Sequence, residues 1–120
     1  MTTATNTLTP LTTLDELTRA LDASHARPAL FFKHSYTCGT SAQAFEELQA
    51  LLAGPPLPAD LYLIDVRAGR AVSNELAARV QTRHESPQAL LVKDGQVRWA
   101  VSHFRVTATA IDAAIRQFGL

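Results

Sequence analysis

The stretch Ala29-Leu30-Phe31-Phe32-Lys33-His34-Ser35-Tyr36-Thr37-Cys38-Gly39-Thr40-Ser41 decides the fold of this chain. Pro28 precedes four consecutive apolar residues, and so short an unbroken run suits a strand covered on both faces, as central parallel strands are. From about Cys38 to Ala53 the apolar positions Ala44, Phe45, Leu48, Leu51 and Leu52 form one helical stripe, and Gly54-Pro55-Pro56 stops it. Leu61-Tyr62-Leu63-Ile64-Asp65-Val66 supplies the next strand. Strand, helix and strand in this order make a βαβ unit, whose crossover is right-handed in nearly all proteins. Cys38, the one cysteine, falls where the first strand gives way to the helix. A helix N-terminus presents free N–H groups and a partial positive charge, and both favour the reactive thiolate over the thiol.

Toward the N-terminus, Thr13-Leu14-Asp15-Glu16 has the spacing of a capping box, and Leu14, Leu17 and Leu21 follow at helical intervals. This predicts a helix over about Leu14 to Ala23, preceded by a flexible tail over residues 1–10, with one domain over 11–120. Toward the C-terminus, Gly69 marks a turn, and Leu76, Ala77 and Val80 suggest a short third helix. After Pro87, the apolar runs Ala89–Val92 and Val97–Val101 flank Lys93-Asp94-Gly95-Gln96. Asp-Gly between such runs predicts a hairpin with a type I′ turn, which needs positive φ at both central positions. Ile111, Ala114, Ile115 and Phe118 share a face of a last helix over Thr107 to Phe118. The order α-β-α-β-α-β-β-α is the thioredoxin-like layout. The expected fold is therefore a single α/β domain with a central mixed four-stranded sheet (a β-α-β-α-β-β-α core) and an extra N-terminal helix.

Composition narrows the function. At 120 residues the chain is long enough for one hydrophobic core and too short for two. Eleven basic and eleven acidic residues cancel, which argues against nucleic acid or an acidic membrane surface as partner. No apolar run approaches the ~18 residues of a membrane span, and Met1 to Pro10 has no basic and apolar regions of a signal peptide. One cysteine excludes an internal disulfide framework, which fits a reducing cytoplasm. The expected location is cytoplasmic.

A lone cysteine often only fills space. If Cys38 is the catalytic residue, its chemistry must borrow a second sulfur from elsewhere. The loop residues Thr37, Gly39, Thr40 and Ser41 are small and polar and should leave the sulfur reachable, and Ser41 stands where a dithiol enzyme would hold its second cysteine. At pH 7 a thiol of pKa ~8.5 is about 3% thiolate and one of pKa ~6 about 90%. A Brønsted slope of ~0.4–0.5 takes back most of that 30-fold gain, leaving roughly twofold to threefold in attack. A low pKa therefore helps Cys38 chiefly as a leaving group.

The second candidate segment is His84-Glu85-Ser86-Pro87-Gln88. Proline cannot donate to a sheet ladder, so Pro87 should begin a strand. Thioredoxin-like proteins typically hold a cis-proline at this point, opposite the nucleophile, so Ser86 and Pro87 are expected to line the substrate-thiol groove. His34 and His84 should lie near the same site and could steady a Cys38 thiolate if protonated. His25 reads as a solvated helix end, and His103 lies near the end of the final strand. The four histidines and one cysteine show no metal-ligand spacing, so no metal site is expected.

Several segments together resemble the monothiol bacilliredoxins of the bacillithiol system. They are Phe32-Lys33-His34-Ser35 with Thr37-Cys38, Ile64-Asp65-Val66, Val72-Ser73-Asn74-Glu75-Leu76-Ala77, Arg83-His84-Glu85-Ser86-Pro87-Gln88, Lys93-Asp94-Gly95-Gln96-Val97 and Ala100-Val101-Ser102-His103. In order and spacing they cover about Ala29 to His103. The resemblance implies a cytoplasmic oxidoreductase that removes bacillithiol from mixed disulfides on proteins, with no tightly bound cofactor and bacillithiol as co-substrate. It implies that Cys38 takes up the bacillithiol and that a second bacillithiol, a bacillithiol-disulfide reductase or a partner redoxin restores the thiol. One departure stands out: the family's loop is usually Thr-Cys-Pro-Ile-Ser, and here it is Thr37-Cys38-Gly39-Thr40-Ser41. Glycine at position 39 restores an N–H and loosens the loop.

That loop is also similar to the Cys-Gly-Phe-Ser motif of monothiol glutaredoxins, which leaves an iron–sulfur cluster carrier as an alternative. A non-catalytic thioredoxin-like binding module with an inert Cys38 is a third. Bacillithiol carries carboxylates, which arginine clamps bidentately, so Arg67, Arg70 and Arg83 are candidate contacts to it.

Overall fold

The computed structural model describes residues 6–37 and 39–118; Cys38, the expected nucleophile, lies outside that set, as do the first five residues and the last two. In chain order the elements are β1 (Leu8–Pro10), α1 (Leu14–Ala23), β2 (Ala29–His34), α2 (Gly39–Leu52), β3 (Asp60–Asp65), α3 (Arg70–Arg79), β4 (Gln88–Lys93), β5 (Gln96–Ser102), a 3-10 turn at His103–Arg105, and α4 (Ala108–Phe118).

All six residues of β2 are buried, as the unbroken apolar run requires of a central strand. The sheet order is β1-β3-β2-β4-β5. β3 runs parallel to β2, β4 antiparallel to it, and β5 antiparallel to β4. Alternation along β2 and β4 divides the core in two. Leu30, Phe32, Ala89 and Leu91 pack with Ala44 and Leu48 of α2 and Ile111 and Ile115 of α4. On the opposite face, Phe31, Leu90 and Val92 pack with Leu17 and Leu21 of α1 and Val72 and Leu76 of α3.

Several local expectations hold. The Thr13 side chain accepts from the Glu16 N–H and the Glu16 carboxylate accepts from the Thr13 N–H, so the capping box closes both ways. Asp94 (φ 56°) and Gly95 (φ 72°) both take the left-handed conformation that a type I′ turn demands. Behind that turn, the Ser24 hydroxyl accepts from the Gly95 N–H at 2.9 Å.

The sheet has five strands, not four. Leu8–Pro10, read from sequence as part of a tail, is an edge strand parallel to β3. Asn6 anchors it: its amide donates to the carbonyls of Leu52 and Pro55 (3.1 and 3.0 Å) and accepts from the Leu57 N–H at 2.7 Å. Three residues carry too short a pattern to announce a strand, and its partners lie about fifty positions away. Pro10 is tolerated there because an edge strand has an unpaired side.

Candidate functional site

The site is built where β2 ends. Ser35 leaves the sheet, Tyr36 and Thr37 turn, and α2 starts at Gly39. Thr37 and Ser35 pair through their hydroxyls at 3.2 Å. Ser41 is buried, contrary to the expectation of an open polar loop, and its hydroxyl accepts from the Ser35 N–H at 3.3 Å. This bond ties the first turn of α2 to the end of β2. Gly39 has open space around the position of an added Cβ, and Thr40 is partly exposed.

His34 departs from its expected place in the groove. It is 3% exposed, lies edge-on to Tyr36 (4.2 Å between ring centres) and sits 4.8 Å from the Phe45 ring. Its Nδ1 has no hydrogen-bond partner among the described residues. Burial pushes the imidazole below its ordinary pKa, with the Asp65 charge opposing. A neutral, enclosed ring is an aromatic wall, not the cation that would steady a thiolate.

The Ser86–Pro87 bond is cis, and β4 begins at the next residue. The Pro87 carbonyl accepts from the His103 N–H at 2.9 Å, which brings the 3-10 turn against it. An open groove of about 430 Å³ runs along this junction, lined by Glu85 and residues 100–105. Tyr36 and Phe104 are the exposed aromatic rings of the two loops, 63% and 76% accessible.

Two buried polar side chains that sequence reasoning passed over shape the loop before Pro87. Gln88 donates to the Arg83 carbonyl at 3.0 Å, while its amide oxygen accepts from the Glu85 N–H at 3.4 Å. Lys33 is fully buried and donates to the Ser73 carbonyl at 3.1 Å; its Nζ also lies 3.1 Å from His84 Nδ1. The Ser73 hydroxyl is 3.2 Å from the same nitrogen. Lys33, Ser73 and His84 thus join β2, α3 and the pre-proline loop at one point. The available signal was the charge itself, a lysine inside a strand otherwise patterned for burial on both faces.

Burial pushes the Lys33 ammonium down to about 8. His84 is also held below its ordinary value, by burial first and then by the charges of Lys33 and Arg70, with Glu85 opposing. His84 could steady a thiolate only if protonated, and its burial and the two cations beside it work against that charge. Arg70 stands at the start of α3 within electrostatic reach of His84, and the Arg83 charge is felt by Glu85. Arg67 lies in the turn after β3, where its backbone N–H donates to the Asp65 carboxylate. All three guanidiniums are exposed.

The fold recurs in solved structures. A protein described as an oxidoreductase with a thioredoxin fold superposes with a TM-score of 0.75 at 24% identity, covering 89% of this chain and 92% of that one. Malassezia sympodialis thioredoxin gives 0.75 at 14% identity, covering 98% and 94%. Thioredoxin O2 from Arabidopsis thaliana gives 0.74 at 16%, covering 99% and 100%. The sequence model of the family described as Monothiol bacilliredoxin BrxC matches residues 9–111. With a single cysteine, this fold and that match over most of its length, the chain belongs to the monothiol bacilliredoxin family of thiol oxidoreductases.

Proposed function

We propose that this protein removes bacillithiol from mixed disulfides on other proteins, with Cys38 as the nucleophile. The observation that carries the reading is the family match over residues 9–111, which spans the cysteine loop, Lys33, Ser73 and the cis-proline segment. In the first step the Cys38 thiolate attacks the bacillithiol sulfur. A Cys38–bacillithiol disulfide forms, the original disulfide breaks, and the protein thiolate leaves and takes a proton from water. In the second step the thiolate of another bacillithiol attacks the bound bacillithiol sulfur, releasing the Cys38 thiolate and bacillithiol disulfide. A bacillithiol-disulfide reductase then regenerates the small thiol. A partner redoxin could instead take the bacillithiol from Cys38. On this reading bacillithiol is a co-substrate, and the place of action is the cytoplasm.

Neither His34 nor His84 supplies a positive charge near neutral pH. Thiolate stabilisation therefore falls to backbone N–H groups at the start of α2 and its dipole. Of the three arginines, Arg70 and Arg83 adjoin the His84–Glu85 loop and are the better carboxylate contacts for bacillithiol. The test is intact-mass spectrometry after exposure to oxidised bacillithiol. The reading predicts one adduct on the wild type, none on Cys38→Ala, and transfer of the adduct to added bacillithiol. No adduct on the wild type across neutral pH overturns it.

A further inference from the structure

Lys33 is a buried ammonium that makes no ion pair with any described Asp or Glu. Its hydrogen bonds have a directional consequence. A carbonyl oxygen only accepts, so one N–H of Lys33 is aimed at Ser73. A charged ammonium has three donors and no acceptor, so at 3.1 Å the facing Nδ1 of His84 has to be the unprotonated nitrogen. The Ser73 hydroxyl, 3.2 Å away, can donate to the same nitrogen but cannot reverse the assignment while Lys33 is charged. The imidazole proton is then left on Nε2, and His84 is exposed to solvent.

We propose that Lys33 is a positioning residue that locks His84 in the neutral Nε2–H tautomer, so that the ring presents a fixed, uncharged donor two residues before the cis Ser86–Pro87 bond. The groups facing His84 agree. Lys33 from β2 and Arg70 from α3 disfavour a second proton, and only Glu85 of its own loop favours one. A donor of this kind suits an oxygen acceptor on a bound thiol or its protein, a peptide carbonyl or a carboxylate. It offers the sulfur no charge.

The test is two-bond ¹H–¹⁵N correlation of the full-length, reduced protein labelled at histidine, between about pH 6 and pH 9. The wild type should show His84 as the Nε2–H tautomer. In Lys33→Met both tautomers should appear and the titration midpoint should move upward. The wild-type spectrum stands alone should that variant fail to fold: an Nδ1–H signal for His84 below the Lys33 titration overturns the proposal. So does an unchanged tautomer and midpoint in a folded Lys33→Met.

The catalytic role of the donor rests on the oxidoreductase reading and is tested separately. His84→Leu should lose about fivefold to tenfold in kcat/KM, the worth of one neutral hydrogen bond. His84→Gln, which keeps an N–H donor, should recover most of that loss. Equal loss in both variants refutes the donor role. The spectroscopic test reads the free protein, so it fails or succeeds independently of bacillithiol.

Discussion

Replacing Lys33 by Met should make the protein more stable at neutral pH and less stable in alkali. Burial lowers this ammonium from 10.5 to about 8. Between those values the unfolded chain binds a proton that the native state has lost, so stability rises with pH through that window. Linkage over the two values makes the native charge cost about 3 kcal/mol at pH 7 and about 1 kcal/mol at pH 10. Met fills the space without that cost, but it withdraws the donor from the Ser73 carbonyl and His84 Nδ1, about 1 kcal/mol for each bond. The variant should thus be about 1 kcal/mol more stable than wild type at pH 7 and about 1 kcal/mol less stable at pH 10, with the curves crossing near pH 9. Urea unfolding in the presence of a reductant measures this, with the fluorescence of Trp99, the single tryptophan, as probe. Taking the difference between the two proteins removes every other alkaline titration. A difference that stays constant within about 0.5 kcal/mol from pH 7 to pH 10 refutes the buried-charge account.

Gln88→Leu leaves the Arg83 carbonyl and the Glu85 N–H without their partner and should cost about 1–3 kcal/mol in chemical denaturation, while slowing turnover through the loosened pre-proline loop. Gly69→Ala would bring a Cβ to 2.9 Å from the Asp65 carbonyl oxygen and should cost about 1–3 kcal/mol, read as a lowered Tm. Gly39→Pro places proline at the first position of α2, where space is open, and should stabilise by about 0.4–1 kcal/mol. The same variant should shift the equilibrium constant for disulfide exchange with bacillithiol, measured by mass spectrometry. Arg70→Ala and Arg83→Ala should raise KM for a bacillithiolated substrate, and Arg67→Ala should not.

Most of the fold was legible because its signals are local. The capping box at Thr13, the Asp94-Gly95 turn and the stripes of α1 and α4 are each written within a few residues. The edge strand at Leu8–Pro10 was not legible, since three residues carry no usable period and Asn6 holds them through contacts about fifty positions away.

The site divides along the same line. Sequence alone determined that there is one cysteine, that it falls between the runs that form β2 and α2, and that β4 starts just after Pro87, because composition and spacing along the chain set these. Only the tertiary structure decided that His34 is an enclosed, uncharged wall and that Ser41 is a buried tie. It also decided that Lys33, Ser73 and His84, spread over fifty-one positions, share one hydrogen-bonded node. Charge and tautomer depend on burial and on which group donates to which. Those are properties of three-dimensional neighbours, and no pattern along the chain encodes them.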